Sequence, residues 1–364
     1  MKIALLGAGH IGQTIARLLQ ACPDYQLTVM DKSAPALARL ALEGIGTQQV
    51  DTEDARALFA ALLGQATVVN ALPYHLAIMV AHAALEAGCH YFDLTEDVAA
   101  TREIKRIAMG ARTAFMPQCG LAPGFIGIVA HHLTKSFESL RDVKMRVGAL
   151  PAFPTNALKY NLTWSVDGLI NEYCHPCEII HDGKIIEALP LEGMEHFSLD
   201  GTEYEAFNTS GGLGTLCETL GGRVRNLDYK TVRYPGHRDL MMMLLDDLQL
   251  KNDQETLKNI MRRAMPATMQ DVVLVFVTVS GMRAGSLVQE VFARKIFADR
   301  SEGAPLSAIQ ITTAAGICAA VDLFREGKLP SCGFIRQEQV ALPDFLANRF
   351  GCAYQQSRQV ESIG

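Results

Sequence analysis

The sequence lacks an excess of basic residues and a long apolar run, and its first residues are not those expected of a secretory leader. Lys and Arg number 33 against 39 Asp and Glu, and the net charge of −6 disfavours a nucleic-acid-binding protein. Apolar runs such as residues 272–277 fall far short of the roughly 18 residues that a membrane span needs. The chain enters a short strand and a glycine turn at once, unlike a signal peptide. We therefore expect no nucleic-acid partner, no membrane span and a cytoplasmic protein.

The nine cysteines do not suggest a disulfide framework. Their number is odd and they are scattered along the chain, which is typical of reduced thiols. One pair, Cys174 and Cys177, has the CxxC spacing of a zinc or redox site. Because no second pair has this spacing to complete a tetrahedral zinc site, we predict no metal.

The hydropathy pattern of the first third predicts a parallel sheet. Strands are expected at 2–6, 27–30, 47–50, 66–70, 90–93 and 113–116, alternating with helices at 34–43, 54–63, 76–87 and 99–110. This alternation indicates an α/β fold whose sheet is covered by helices on both faces. A chain of 364 residues has room for about two domains.

The pattern changes after Gly124, where the predicted strands become longer and more amphipathic. We predict strands at 142–150, 159–164, 178–181, 184–188 and 271–280, and helices at 125–133, 238–248 and 307–326. Asp182 and Gly183 are typical of a tight hairpin turn. The predicted fold class is therefore α/β, with a Rossmann domain at 1–124, a central domain with a mixed sheet at 125–305, and a segment at 306–364 that returns to the first domain.

A glycine-rich turn between the first strand and the first helix predicts a dinucleotide site. Gly7, Gly9 and Gly12 have the GxGxxG spacing. In this context Gly7 makes the tight turn, Gly9 lets the backbone approach a pyrophosphate, and Gly12 lets helix and strand pack closely. The first helical residues, His10 and Ile11, bring free N–H groups and a partial positive charge to the phosphates.

Three other strand ends are expected to complete the cofactor site. Asp31 ends the second strand, and its carboxylate suits the ribose hydroxyls of NAD and would repel the 2′-phosphate of NADP. Lys32 beside it leaves NADP open as the less favoured cofactor. Asp51 ends the third strand and is either near the adenine or simply solvated. Leu72 and Pro73 follow the fourth strand, either near the nicotinamide or as an ordinary turn.

Four longer motifs occur in a characteristic order. They are HYFDLTED at 90–97, CGLAPG at 119–124, EAFNTSG at 205–211 and TVRYPGH at 231–237. Together they resemble the saccharopine dehydrogenase family and, within it, the lysine 6-dehydrogenase branch. The resemblance covers nearly the whole chain and implies a Rossmann domain, a central substrate domain, a returning C-terminal segment and a homodimer. Saccharopine-reducing members usually carry Asp where this chain has Ala122, which favours the lysine dehydrogenase branch.

Oxidation of an amine by NAD needs a base, because the nitrogen must be neutral before the hydride leaves its carbon. Lysine would also need a cation for its α-carboxylate. Arg233, which precedes a rigid Tyr-Pro-Gly turn, is the candidate for that cation, and a structural arginine is the alternative. His237 has a suitable ordinary pKa for a catalytic base, unless it only begins the next helix. Asp93 and Glu96, at a strand end, are the other candidate bases.

Three further residues are candidates for contacts with the amino-acid substrate. Thr209 and Asn208 precede a glycine pair and offer polar side chains to a ligand. Tyr173 follows the single tryptophan and is either a wall of the site or part of the core.

The combined prediction is NAD-dependent oxidative deamination of an amino acid. The first choice is L-lysine at its ε-carbon, giving the semialdehyde or its cyclic piperideine-6-carboxylate form and ammonia. One alternative is a saccharopine dehydrogenase or another opine-type imine reductase. An alternative of another class is a protein that binds NAD as a sensor without catalysis.

Overall fold

The computed structural model describes residues 1–298 and 305–355. Strands alternate with helices over the first 116 residues, whereas several strands follow one another directly in the later part of the chain. The strands are β1 (Lys2–Leu6), β2 (Gln26–Asp31), β3 (Gly46–Gln49), β4 (Thr67–Asn70), β5 (His90–Asp93), β6 (Ala114–Met116), β7 (Ser139–Pro151), β8 (Cys177–His181), β9 (Lys184–Ala188), β10 (Glu195–Leu199), β11 (Thr202–Asn208), β12 (Val224–Arg233), β13 (Asp271–Arg283), β14 (Ser286–Phe297) and β15 (Gly333–Phe334). The α-helices are α1 (His10–Gln20), α2 (Ala34–Leu42), α3 (Ala55–Leu62), α4 (Ala77–Ala87), α5 (Val98–Ile107), α6 (Phe125–Thr134), α7 (Val166–Cys174), α8 (Leu216–Leu220), α9 (His237–Met242), α10 (Gln254–Ala264), α11 (Ala308–Arg325) and α12 (Leu342–Ala347).

The chain forms two units, and the first contains a seven-stranded parallel sheet. This unit holds Met1–Ile128 and Thr312–Ala353. Its strand order is β15-β6-β5-β4-β1-β2-β3, and every pair is parallel. From β3 to β6 this is the strand order of a Rossmann fold, so the predicted fold class is confirmed. The predicted helices and strands of the first 116 residues nearly coincide with the observed ones.

The returning C-terminal segment adds the edge strand β15 to this sheet. Gly333 and Phe334 pair in parallel with β6. Just beyond, the side chain of Gln337 donates a hydrogen bond of 2.7 Å to the carbonyl of Pro117, directly after β6. The returning segment of this unit is therefore tied to the sheet by both backbone and side-chain hydrogen bonds.

A buried carboxylate on α11 forms a second link with the returning segment. Asp322, whose side chain is 1% exposed, accepts hydrogen bonds from the Nε and Nη2 groups of Arg349 at 3.0 and 2.7 Å. It also accepts from Asn348 at 2.8 Å, from Arg325 and from the hydroxyl of Tyr25. These donors hold the pKa of Asp322 down at about 2, against the opposing effect of burial.

The second unit holds Val129–Ile311, resumes at Tyr354 and contains a mixed sheet. The strand order is β10-β11-β12-β7-β13-β14, with the hairpin β8–β9 attached to β12. The pair β12–β7 is parallel, and the other strand pairs of this sheet are antiparallel. The predicted hairpin turn is confirmed, since Asp182 and Gly183 both have positive φ, at 46° and 78°, as a type I′ turn requires.

One prediction for the second unit is wrong, and another is right in extent but not in helix type throughout. Residues 159–164 do not form a strand, and only a bridge joins Leu162 to Ala267. Lys159 has a φ of 49°, and the side chain of Asn156 binds the backbone of Tyr160, so a local turn replaces the extended conformation. The helix predicted at 238–248 is α9 followed by a π-helical turn at Met243–Asp247.

Helix α11 is long and apolar enough, by length and composition alone, to cross a membrane. Its mean hydropathy is 1.2 over 18 residues, and 78% of that stretch is buried inside the protein. The long buried core helices of soluble proteins have the same properties, so the prediction that the chain has no membrane span stays a prediction.

Candidate active site

The glycine turn between β1 and α1 has the close packing expected of a dinucleotide-binding loop. Gly7 has a φ of 102°, and a Cβ there would lie 2.8 Å from the carbonyl oxygen of Ala71. A Cβ at Gly12 would lie 2.0 Å from the carbonyl oxygen of Gly7. Neither backbone neighbour can move aside, so both positions require glycine.

The middle glycine and the start of α1 leave a surface that suits a phosphate. A Cβ at Gly9 would meet no atom within 4 Å, and no side chain caps the helix N-terminus. His10 is exposed and Ile11 is partly buried in the first turn. Uncapped N–H groups beside open space form an anion site, so these residues fit a pyrophosphate.

The carboxylate of Asp31 at the end of β2 faces the same turn. One oxygen accepts the N–H of Ala8 at 2.7 Å and the other accepts the N–H of Ser33 at 2.8 Å. The ammonium of the neighbouring Lys32 forms an ion pair with Glu53 at 2.5 Å. The charge next to the predicted ribose site is therefore that of a carboxylate, while the neighbouring lysine is already paired.

The remaining predicted cofactor residues lie at the same edge of the sheet. Asp51 is exposed after β3 and accepts the N–H of Glu53 at 3.0 Å. Leu72 donates its N–H to the side chain of Asn70 at 3.1 Å, and Pro73 is exposed beside it. These contacts order the loops after β3 and β4, where a dinucleotide binds in Rossmann folds.

Asp93, at the end of β5, is fully buried and its oxygens accept three hydrogen bonds. The hydroxyl of Tyr91 donates at 2.6 Å, and the backbone N–H groups of Thr95 and Gln118 donate at 3.0 and 2.9 Å. Burial raises the pKa of Asp93 to about 6, although these donors oppose the rise. Because its oxygens already fix two loops, this geometry favours a structural role over the predicted catalytic one.

Glu96, three residues further on, has a different environment. Its side chain is partly buried. Burial raises its pKa to about 7, and the nearby carboxylates of Asp97 and Asp93 add to the rise. Asp97 itself caps helix α5 by accepting the N–H of Ala100 at 2.6 Å. Of the acidic residues predicted here, Glu96 is the one whose pKa suits proton transfer near neutral pH.

In the second unit, the structure brings Arg233 and Tyr173 into contact. Arg233 is 2% exposed; its Nε donates to the hydroxyl of Tyr173 at 2.9 Å and its Nη1 to the carbonyl of Val232 at 2.8 Å. Its guanidinium carbon lies 5.0 Å from the ring centre of Tyr160. The positive charge is therefore buried among aromatic rings and neutral oxygens, and the buried carboxylate of Glu172 is near enough to help raise the pKa of Arg233.

The other buried arginine of this unit shows the usual arrangement. Arg146 is also 2% exposed, and it forms ion pairs with both Glu195 and Asp228. Within residues 1–298 and 305–355, no carboxylate forms such a pair with Arg233. A buried charge is usually paired, so Arg233 has the properties of a receptor for an incoming anion.

His237 contacts the same tyrosine from the other side. Its Nε2 lies 3.1 Å from the hydroxyl of Tyr173, and its Nδ1 lies 2.8 Å from the carbonyl of Leu158. Burial, together with the charge of Arg233, lowers the pKa of His237 to about 3. Both ring nitrogens are engaged and the ring is neutral, which disfavours the predicted role as a base near neutral pH.

The two polar residues at the end of β11 differ in their contacts. Thr209 is 2% exposed and its hydroxyl has no hydrogen-bond partner within the described chain, as is also true of Thr163. The amide of Asn208 instead donates to the carbonyl of Leu189 at 3.4 Å and lies against Gly193. Thr209 is thus available to a ligand, while Asn208 holds a loop.

Two residues of this cluster were missed by the sequence analysis. Tyr160 fell within the wrongly predicted strand, although its ring covers Arg233. Glu205 is buried and accepts the N–H groups of Gly236 and Arg238 at 2.8 and 2.6 Å, which fixes the turn after β12. Its place in the EAFNTSG motif was the available signal.

Family models match both parts of the sequence. The saccharopine dehydrogenase NADP binding domain matches residues 3–115, and the saccharopine dehydrogenase C-terminal domain matches residues 120–349. The chain belongs to the saccharopine dehydrogenase family. The predicted family is thereby confirmed, and with it an oxidoreductase that uses a nicotinamide dinucleotide.

Individual relatives of this saccharopine dehydrogenase family member are distant. Mitochondrial alpha-aminoadipic semialdehyde synthase of Bos taurus is 22% identical over 196 residues, which is 52% of this chain and 21% of that protein. The Mus musculus protein is 23% identical over 193 residues, again 21% of its length. The chain therefore matches only about a fifth of these curated relatives. Apo saccharopine dehydrogenase (L-Glu forming) from Saccharomyces cerevisiae shares the fold, with a TM-score of 0.79, 17% identity, and coverage of 94% of this chain and 96% of that one.

Proposed function

We propose that the protein is an NAD-dependent dehydrogenase that oxidatively deaminates an amino acid, with L-lysine at its ε-carbon as the first candidate. The observation that carries this proposal is the buried guanidinium of Arg233, which forms no ion pair in the described part of the chain, although the charge of Glu172 acts on it at longer range. A substrate carboxylate would supply that ion pair through charge-assisted hydrogen bonds.

The proposed reaction removes a hydride and two protons from the substrate. The ε-ammonium loses a proton to a base, the ε-carbon loses a hydride and the nitrogen a second proton, and the product is an imine. Water hydrolyses the imine to an aldehyde and ammonia, and the aldehyde condenses with the α-amine to the cyclic piperideine-6-carboxylate. A nicotinamide dinucleotide supplies the hydride acceptor when bound.

The residues of this chain take three roles in the proposal. Arg233 binds the α-carboxylate, and the hydroxyl of Thr209 contributes a hydrogen bond to a polar group of the substrate. In the first unit, Glu96 is the candidate for the group that accepts the proton, because burial raises its pKa to about 7. Asp31 selects NAD by receiving the ribose hydroxyls and repelling a 2′-phosphate.

The test is the formation of reduced nicotinamide with NAD and each of lysine, ornithine, saccharopine, or glutamate plus lysine. Lysine alone should give an absorbance rise together with released ammonia. Turnover of saccharopine without lysine activity would support the second candidate, a saccharopine dehydrogenase, which the names of the matching family models favour. NAD binding without turnover of any substrate would favour the sensor.

Arg233→Met should raise the KM for lysine by about 30-fold or more, since losing one partner of a buried charge pair costs roughly 2–5 kcal/mol. The exposed Arg225→Met is the control, because that arginine pairs only with a surface aspartate. Steady-state kinetics of both variants at matched thermal stability gives the comparison. Equal KM values for Arg233→Met and the native enzyme would contradict the carboxylate assignment.

The cofactor preference depends on Asp31. Asp31→Asn removes the negative charge and leaves one oxygen where the carboxylate offered two to the N–H groups of Ala8 and Ser33, so the ratio of kcat/KM for NAD over NADP should fall about tenfold or more, equivalent to about 1.4 kcal/mol. Glu86→Gln, at an exposed carboxylate that was given no place in the cofactor site, serves as the control. A native preference for NADP, or an unchanged ratio in Asp31→Asn, would count against this assignment.

The unpartnered hydroxyl of Thr209 offers a separate check on substrate binding. Thr209→Val removes the hydroxyl at nearly constant shape, and we expect KM to rise about threefold to tenfold, the effect of one hydrogen bond. Stability should be unchanged or higher, since no partner in the described chain is lost. Thr163→Val removes the other unpartnered hydroxyl and should leave KM unchanged; equal KM effects in both variants would refute a specific role.

A further inference from the structure

The protons in the hydrogen bonds around Tyr173 can be placed on the donor atoms in only one way. The carbonyl of Leu158 can only accept, so Nδ1 of His237 carries a proton and Nε2 of the neutral ring presents its lone pair. Nε2 therefore accepts from the hydroxyl of Tyr173. The tyrosine oxygen in turn accepts from Nε–H of Arg233.

The arginine end of this series of hydrogen bonds independently gives the same placement of the protons. An arginine N–H can only donate, so the oxygen of Tyr173 must accept from Arg233 and send its single proton elsewhere. The 3.1 Å contact with Nε2 of His237 is the place for that proton. Because both ends agree, the hydroxyl of Tyr173 has no second orientation that satisfies its neighbours.

We propose that His237 is a positioning residue, whose neutral ring fixes the hydroxyl of Tyr173 and, through it, the direction in which Arg233 presents its guanidinium to the substrate carboxylate. The inference rests on the proposed function for the identity of that anion. It assigns His237 no contact with the reacting atoms.

The packing around the ring supports this role. His237 is 0% exposed, and its ring is nearly parallel to that of Phe207, at 7° and 6.4 Å between centres. The ring of Tyr160 lies 5.4 Å away. The positive charge of Arg233 and the burial both disfavour an imidazolium, as the lowered pKa of about 3 reflects. A protonated Nε2 could not accept from the tyrosine, so the neutral ring is what the hydrogen-bond chain requires.

Four variants test the proposal. Asn at position 237 can still donate near the Nδ1 position but has nothing at Nε2, whereas Gln can place an amide oxygen near Nε2. His237→Asn and Tyr173→Phe should each raise the KM for the amino acid about threefold to tenfold, with kcat within about threefold of the native value. The double variant should be no worse than either single one, because both break the same chain. His237→Gln should keep most of the native KM.

If His237 were a general base, its variants would show different kinetics. Loss of a general base lowers kcat by about 100-fold or more and removes a limb of the pH profile, and that result in His237→Asn would overturn the proposal. Additive effects in the double variant would also overturn it. If His237→Asn does not fold, Tyr173→Phe and His237→Gln still decide between the two roles.

A measurement without substrate separates this inference from the proposed function. Nitrogen-15 NMR of the imidazole in the whole protein should show Nδ1 protonated and Nε2 unprotonated at every pH between about 5 and 8. In Tyr173→Phe, the Nε2 signal should move while Nδ1 stays protonated. A titration within that range, or a proton on Nε2, would overturn the hydrogen-bond chain even if lysine proves to be the substrate. The expected spectrum would stand even if lysine fails.

Discussion

Glu96→Gln is expected to lower kcat with lysine by about 100-fold or more, the usual contribution of a general base. The native rate should fall as the pH drops below about 7, because burial holds the pKa of Glu96 at about 7 and only the ionised carboxylate accepts a proton. The residual rate of the variant should show no such limb. Steady-state kinetics from acid to alkaline pH measures both effects.

Glu96→Gln should raise the stability of the folded protein, although it lowers kcat. The folded state raises the pKa of Glu96 from 4.5 to about 7, so the native fold loses stability relative to the unfolded chain as the pH rises through that interval. Glu96→Gln should therefore melt at a higher temperature than the native protein above pH 7, with little difference near pH 4.5. Glu86→Gln, at an exposed site on α4, is the control for both measurements. A full native kcat in Glu96→Gln would remove it from the mechanism.

Asp322→Asn is expected to lower the free energy of unfolding by about 2–3 kcal/mol, because the pKa of Asp322 lies almost two units below its usual value and each unit corresponds to about 1.4 kcal/mol. The neutral amide cannot balance the charges of Arg325 and Arg349. Its NH2 group, which replaces one carboxylate oxygen, would face other hydrogen-bond donors. Urea denaturation at neutral pH, followed by circular dichroism, measures the loss.

The pH dependence gives this prediction a second test. The folded pKa of Asp322 is depressed from 3.8 to about 2, so its contribution is complete above about pH 4 and is lost as the pH falls toward 2. The difference between native protein and Asp322→Asn should shrink over that interval. Asp344→Asn is the control, since that residue pairs with Lys328 at 49% exposure and should matter by less than about 1 kcal/mol. A loss of similar size in Asp344→Asn would contradict the importance of the buried cluster.

The only tryptophan of the chain helps to locate the effect of Asp322→Asn. Trp164 lies in the second unit, while Asp322 lies in the first. Fluorescence and circular dichroism that shift together would mean that both units unfold in one transition. A shift in circular dichroism alone would confine the loss to the unit that contains the parallel sheet.

The first unit was largely predictable because its signals are local. Strand β5 was predicted with its observed bounds, and Gly88 ends α4 in the left-handed conformation, as expected of a helix C-terminus. The glycine turn was predictable for the same reason, since three glycines at fixed spacing have few other uses after a strand. Short apolar strands alternating with helices leave little ambiguity in register or order.

The second unit was less predictable because several of its strands contain charged residues that find partners on other strands. Strands β10, β11, β12 and β14 were not predicted. Glu195 on β10 and Asp228 on β12 pair with the buried Arg146 on β7, and Lys230 also reaches Glu195. A pattern of charges favours an exposed loop when it is considered alone, and only the sheet brings these opposite charges together.

In the candidate site, too, some features were predictable from the sequence and others were not. The sequence picked out Arg233, Tyr173 and His237 by residue type, and the structure brings these three into one hydrogen-bonded chain. It did not indicate that His237 would be neutral or that Asp93 would already be surrounded by donors, because both facts depend on burial and on distant backbone groups. Residue type thus predicted a candidate but not its protonation state.

The edge strand β15 has a consequence for synthesis of the chain on the ribosome. Strand β6 ends at Met116 and its partner begins at Gly333, so residues 117–332 must be made in between. At roughly 5–20 residues per second, those 216 residues take about 10–40 s. During that time the nascent parallel sheet has an open edge at β6, which invites pairing with foreign strands. A ribosome-bound chaperone that shields β6 would therefore matter most while the second unit is being translated.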